Sequence, residues 1–374
     1  MKRLHQLCAA SLLGVASVAG AQSARQEALA LEQQGQNAAA EQAWHAIADA
    51  DPRSAEALAH LGLLAARQDH LEEAVSRYRQ AIALDPNFPG LRMNLGLALF
   101  KANDFKDALK PFSEELRKRP GDQRLTILLG MTHYGMGDYF VAIPYLKRAA
   151  ERDPQNLPLR LTLAHSCLWS KQYSCVMDVY KQILALNADS AEADMLAGEA
   201  LDETGDDAGA TEQFRAAVRA DPKQPNAHFG LGYLLWKQSQ FEEAAREFQA
   251  ELDNDPGQAQ ARAYLADCYV SLNDYSRAQI ELEKPGDDSS AMVHRDLGTV
   301  YASEGRNDDA AKEFMEAIAL DPADVAPHWR LAKLYKAMGK KEEAAAEFAK
   351  ASTMNKESSQ ALSDKISEAQ TRQQ

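Results

Sequence analysis

Four cysteines in 374 residues are too few for a disulfide-stapled scaffold, which needs a dense set because its core is small. Positive charge is also short: 41 Lys and Arg stand against 55 Asp and Glu, a formal net charge of −14. Counterion release needs a basic surface, so nucleic acid and anionic lipid are excluded as main partners. Long apolar runs are missing, since no interior stretch approaches the ~18–20 apolar residues of a membrane-spanning helix. Aromatic residues make up only 7%, yet apolar residues reach 45%, ample for a buried core and too apolar for disorder. Chemical motifs are absent as well: there is no glycine-rich phosphate loop, HExxH, GxSxG or CxxC. No nucleophile stands with a base, so the chain reads as a non-enzyme with no cofactor and no metal.

The first residues read as an export leader. Lys2 and Arg3 precede an apolar stretch, Leu7 to Val18, and then Ala19-Gly20-Ala21. A basic start, a short apolar core and a small-x-small end make a secretory signal, with cleavage placed after Ala21. The expected location is periplasmic, or secreted. Cys8 falls inside this leader, ahead of most of its apolar core.

What the remainder has is a period. Pro52, Pro86, Pro120 and Pro154 recur every 34 residues, as do Pro222 and Pro256, with Ala188 in phase between them. Pro322 follows Pro256 by 66, two short of a double period, and Asn355-Lys356 closes one more. Most of these prolines follow aspartate, at Asp51, Asp85, Asp153, Asp221, Asp255 and Asp321. Proline bars the preceding residue from the helical region, so each Asp-Pro is expected to end a helix.

Other positions keep the same phase. A small residue stands eighth in each unit, including Gly62, Gly96, Gly130, Gly232 and Gly298, and another follows twelve later at Ala74, Ala108, Ala142, Ala244 and Ala310. Four beyond that comes a bulky one, among them Trp44, Tyr78, Phe112, Tyr180, Phe214, Phe248, Phe314 and Phe348. Antiparallel helices approach closely where facing positions are small, and a bulky residue one turn on fills the remaining space.

The period, the small pair, the late aromatic and the terminal Asp-Pro together resemble the tetratricopeptide repeat family over residues 22–356. The resemblance implies an all-α fold: a right-handed α-solenoid of about ten helix-turn-helix units, starting near 21, 55, 89, 123, 157, 191, 225, 259, 291 and 325. It is expected to run as one continuous array, because each repeat buries its apolar face only against neighbours. Residues 357–374 are expected to form a polar capping helix or tail, and Lys284-Pro285-Gly286-Asp287-Asp288 a kink. Cys167 and Cys175 flank one inter-helix turn. The resemblance makes the first partly buried and the second exposed, and both a disulfide and two free thiols stay open. Cys268 reads as a buried structural thiol.

In this family the fifth, ninth and twelfth positions of each first helix line the concave groove. Here that stripe reads Met93, Leu97, Phe100; then Ile127, Met131, Tyr134; then Leu161, His165, Leu168, with Trp169 adjacent. It turns acidic at Met195, Glu199, Asp202, aromatic again at Phe229, Tyr233, Trp236, and basic at Trp329, Lys333, Lys336, with Arg330 adjacent. Apolar residues on a helix face already opposite its packing face either touch a neighbouring repeat or await a ligand. The stripe is read as a groove for a peptide or protein segment, with aromatic rings as anchors and methionines giving tolerance. A glycan stacking on the rings is the alternative ligand. The alternative role is a structural or assembly accessory of an envelope or polymer-export machine. His228, His294 and His328 share the fourth position of their units, but helices pack about 8–10 Å apart while metal ligands must lie within roughly 2 Å of one ion.

Overall fold

The computed structural model describes residues 22–284 and 290–372. The expected leader and nearly all of the expected kink lie outside these residues. Among the described residues every regular element is a helix. The order is α1 (residues 22–33), α2 (Asn37–Ala50), α3 (Ala55–Arg67), α4 (Leu71–Leu84), α5 (Leu91–Lys101), α6 (Phe105–Lys118), α7 (Gln123–Gly135), α8 (Tyr139–Arg152), α9 (Leu157–Trp169) and α10 (Tyr173–Leu184). There follow α11 (Ala191–Glu203), α12 (Asp207–Ala220), α13 (Ala227–Lys237), α14 (Phe241–Asn254), α15 (Ala259–Ser271), α16 (Tyr275–Leu282), α17 (Ala291–Ser303), α18 (Asn307–Leu320), α19 (Val325–Ala337) and α20 (Lys341–Arg372). The fold is thus all-helical, built of successive helix-turn-helix pairs.

Packing divides the chain into two compact units, residues 1–182 and 183–374. The division falls inside α10, in a repeat with Val176 where most others have alanine and Ala188 where most have proline.

The sequence dictates both ends of each pair. Before each Asp-Pro proline the aspartate takes an extended conformation, with φ −135° and ψ 89° at Asp51 and φ −145° and ψ 101° at Asp221. Its own N–H still closes the last helical bond, but proline stops propagation. The Asp51, Asp85, Asp221, Asp255 and Asp321 carboxylates then each accept from the backbone N–H two residues on, at 2.9–3.1 Å. This is the aspartate turn that proline alone cannot supply. The turn inside each pair has a left-handed residue at Gly35, Asp69, Asn103, Gly137, Lys171, Gly205, Ser239, Asn273, Gly305 and Gly339. At Asp69 the following N–H, of His70, reaches back to the Ala65 carbonyl at 2.9 Å, a helix-closing bond that only a left-handed residue permits. Glycine fits that conformation without strain; Lys171 and Ser239 hold it at a cost.

The small eighth position exists to seat the bulky residue sixteen later. A Cβ placed on Gly96 would stand 2.5 Å from the Phe112 ring, and on Gly298 2.7 Å from Phe314. The nearest atoms to these glycines belong to the ring, so the ring, rather than the second small residue, defines the closest approach. Tyr78, Phe112, Phe248 and Phe314 are each at most 2% exposed, and Ala74, Ala108, Ala244 and Ala310 are fully buried. Each such aromatic contributes roughly 1.5–3 kcal/mol by leaving water.

Two departures have plain causes. α16 has 8 residues where α14 and α18 have 14, because its repeat is short and Pro285 follows Lys284. α20 runs unbroken from Lys341 to Arg372 instead of yielding to a separate cap. Asn355-Lys356 replaces Asp-Pro there and no proline or glycine follows, so nothing removes an N–H from the ladder.

Candidate functional site

The stripe candidates of unit 1 stand on α5, α7 and α9 and carry no formal charge, whereas the same register on α1 includes Arg25 and Glu32. Met93 is buried, and Leu97 and Phe100 are half-buried against the unit's core. Phe100 meets Phe105 of α6 edge-on with ring centres 5.3 Å apart. Met131 is half-buried on α7. Tyr134 stacks on Trp169 at 5.7 Å, Tyr139 approaches Trp169 at 4.7 Å, and His165 lies 5.0 Å from the same indole. These four rings form a platform whose outermost member, Trp169, is 48% exposed. An indole with one side packed on rings and the rest in water has area to offer a ligand.

Cys167, two residues before Trp169, is joined by a disulfide to Cys175 of α10, across a Cα separation of 5.7 Å. That separation lies in the ordinary range for disulfides. It ties α9, which carries Trp169 and His165, to α10. A cavity of about 360 Å³ is bordered by Lys147, Glu151, Ser174, Cys175 and Asp178, and no stripe residue lines it.

In unit 2 the same register is wired into charge. Phe229, Tyr233 and Trp236 of α13 all face Tyr264 of α15, with ring centres 5.0–5.9 Å apart. The Trp236 indole N–H donates to Asp267 Oδ2 at 2.6 Å. Asp267 also accepts from Arg295 of α17. Arg295 donates to Asp296 at 3.1 Å and lies 3.7 Å from Asp324, which caps α19. Burial opposes the charge on Arg295, but Asp296 and Asp267 raise its pKa above the ordinary guanidinium value. Burial pushes the Asp296 carboxyl up to about 7 against the pull of Arg295. On α19, Trp329 packs on Phe348 at 5.2 Å, Arg330 donates to Thr299, and Lys333 is exposed. Trp236 is therefore clasped by the Tyr233 and Tyr264 rings and a buried carboxylate, a tighter seat than an open groove would give it.

Asp267, Arg295 and Tyr264 did not figure among the sequence candidates. The signal was present: the fifth, ninth and twelfth positions of the units from 259 and 291 read Ala263, Asp267, Val270 and Arg295, Thr299, Ala302. The same register finds the charge pair directly. Tyr264 sits one residue off the stripe and only packing reveals it.

The aligned histidines have a different use from ligation. His228, His294 and His328 each bond a glutamate nineteen residues on, Glu247, Glu313 and Glu347, at 2.6, 2.7 and 2.5 Å. Arg262 faces Glu281 in the same relation at 3.9 Å. Each pair clips the first helix of a repeat to its second. Burial works against the Glu347 charge, but Lys350 and His328 hold its pKa below the ordinary carboxylate value. Among the described residues no three His, Cys, Asp or Glu groups converge as metal ligands would. None of the described helices is long and apolar enough to cross a membrane. Cys268 is fully buried, and burial pushes its thiol up to about 12, so it stays protonated and unreactive.

Among characterised proteins, the chain is similar to the general transcriptional corepressor ssn6 of Schizosaccharomyces pombe, 26% identical over 29% of this chain and 10% of that one. It is similar to cellulose synthase operon protein C of Xanthomonas axonopodis pv. citri, 26% identical over 72% of this chain and 18% of that protein. The chain spans between a tenth and about two fifths of the length of these curated relatives, at most 38%. Among solved structures, the Cut9–Hcn1 hetero-tetramer of APC/C aligns over 78% of this chain and 58% of that one, at 17% identity and TM-score 0.47. YrrB, described as a TPR protein with an unusual peptide-binding site, aligns over 50% of this chain and 97% of its own, at 18% identity and TM-score 0.40. A tetratricopeptide repeat model matches residues 25–87, 61–123, 178–225 and 229–285, a second matches 124–156 and 326–358, and a TPR repeat model matches 298–339. With its Asp-Pro helix stops, its glycines seating aromatic rings and these matches, the chain belongs to the tetratricopeptide repeat family.

Proposed function

We propose that this chain is a non-enzymatic interaction scaffold of the bacterial cell envelope, and that the stripe on its first helices holds a peptide or protein segment. The observation that carries the reading is Trp169, 48% exposed on a platform of Tyr134, Tyr139 and His165. Water-exposed indole gains from being covered, and a preformed ring platform spends little side-chain entropy on binding. The neighbouring uncharged stripe suits an apolar segment, and the half-buried Met131 adapts to its shape, while Met93, expected in the groove, belongs to the core. Two features support the envelope: the leader pattern of residues 2–21, and the Cys167–Cys175 disulfide, a bond that persists in oxidising compartments.

A second reading, an assembly accessory of an envelope or polymer-export machine, draws on the similarity to cellulose synthase operon protein C across 72% of this chain. Aromatic platforms also stack on sugar rings, which would make the ligand a glycan in that setting.

Selection from a random peptide library on the folded chain tests the first reading against the second. Peptides enriched by the parent and lost by Trp169→Ala would support a groove scaffold. Equal enrichment by both would sink it, and oligosaccharide binding or concentration-dependent mass would move the role to the accessory. Sequencing the N-terminus of chain recovered from the periplasmic fraction tests export, with Gln22 as the expected first residue.

A further inference from the structure

Where α15, α17 and α19 meet, unit 2 buries more negative charge than it compensates. Asp296 is fully buried. Its Oδ1 accepts from Arg295, but among the described residues its Oδ2 has no hydrogen-bond donor. A carboxylate oxygen withdrawn from water with nothing to bond is costly, and a neutral carboxyl is far less so. Arg295 cannot relieve it, because the same guanidinium also serves Asp267 and Asp324.

We propose that Asp296 is a proton-operated latch that sets how firmly Asp267 holds the Trp236 indole, and so tunes the stripe face of unit 2 across the neutral pH range. Bearing a proton, Asp296 leaves Arg295 to Asp267 and Asp324, and Asp267 stays fixed against Trp236. Ionised, Asp296 draws Arg295 toward itself, and the clasp on Trp236 slackens.

The groups that face Asp296 are few. From its own helix comes Arg295. From α15 come Asp267 and Cys268, whose thiol burial keeps neutral, and from α19 come Arg330 and the capping Asp324. Against α17, α16 presents Glu281, held by Lys284 and near Arg262, and α18 presents Glu313, bonded to His294. Burial is the largest influence on Asp296 and raises its midpoint to about 7, with Asp267 adding to it and Arg295 and Arg330 opposing. The sign follows. Between the ordinary aspartate value near 4 and about 7 the folded chain keeps a proton that the unfolded chain has released. Stability of unit 2 therefore falls as pH rises through that window and levels off above it.

The latch bears on partner binding through Trp236 alone. Its test uses no partner, so the scaffold reading and the latch can fail separately. Tryptophan emission of the full chain is followed from pH 5 to 9, in the parent and in Asp296→Asn, Trp236→Phe and His294→Gln. The expected result is a red shift on raising pH with a midpoint near 7, absent in Asp296→Asn and Trp236→Phe and retained in His294→Gln. A flat parent profile, or a shift that survives Asp296→Asn, would overturn the proposal. If Asp296→Asn fails to fold, carboxyl carbon resonances of aspartate-labelled parent chain decide. One aspartate titrating above pH 6 supports the latch, and all of them titrating below pH 5 refutes it.

Discussion

The stripe across α5, α7 and α9 and the stripe across α13, α15, α17 and α19 follow one register, yet they are built from different physics. In unit 1 the side chains are uncharged, they pack ring on ring, and the outermost indole is left 48% exposed. In unit 2 the corresponding rings are clasped by Tyr264 and tied through Asp267 to a buried charge cluster. Register places a residue on a face, and what stands on the next helix decides whether that residue is left available or locked. The two tryptophans make the point. Trp169 has rings behind it and water in front, whereas Trp236 gives its one N–H to a buried carboxylate.

The comparison can be broken or sharpened by substitution. The largest effect is expected where the units agree. Ala108→Arg in unit 1 and Ala244→Arg in unit 2 both force a charged side chain into a fully buried site, and each should cost at least about 3 kcal/mol, enough to unfold its local repeats. Circular dichroism on heating would show lost helix, and an unchanged melt in either variant would refute the packing described. Next comes Trp236→Ala, which removes two ring contacts and leaves Asp267 short of a donor, for about 2–4 kcal/mol. An anchor standing in an open groove would lose almost nothing in stability on this change, so urea denaturation separates the two placements. Reducing the Cys167–Cys175 bond, which closes a loop with sequence separation 8, should cost unit 1 about 2–3 kcal/mol. A melt unaffected by reductant would show that the bond braces nothing. Trp169→Ala should cost less than about 1 kcal/mol while abolishing peptide selection, and the same urea titration measures it. Smallest is Lys237→Ala, whose bonds to Asp202 and Asp207 raise the lysine pKa but lie in partly exposed positions, for at most about 1 kcal/mol. Raising salt should shrink even that difference.

Much of the fold was legible because its signals are local and repeated. Asp-Pro fixed the helix stops through one dipeptide's conformational limits, visible at Asp51 and Asp221. Gly96 and Phe112 stand sixteen apart in sequence and touch because two antiparallel helices of fixed rise bring those places together. The left-handed turn was readable at Gly137 and Gly339 but not at Lys171 or Ser239, where repeat geometry overrides the residue's own preference. What the aligned histidines do was not legible, since their glutamate partners lie on the other helix of the same repeat.

By itself, then, the sequence determined the period, the helix stops, the ring-on-glycine contact and the family, each set by chain connectivity within one repeat. Only the tertiary structure decided that Trp236 is locked while Trp169 is open, and that Asp296 lies buried with an oxygen that has no donor among the described residues. Those outcomes depend on neighbours some thirty residues away in sequence and on solvent exclusion by several helices at once, and no single repeat encodes either.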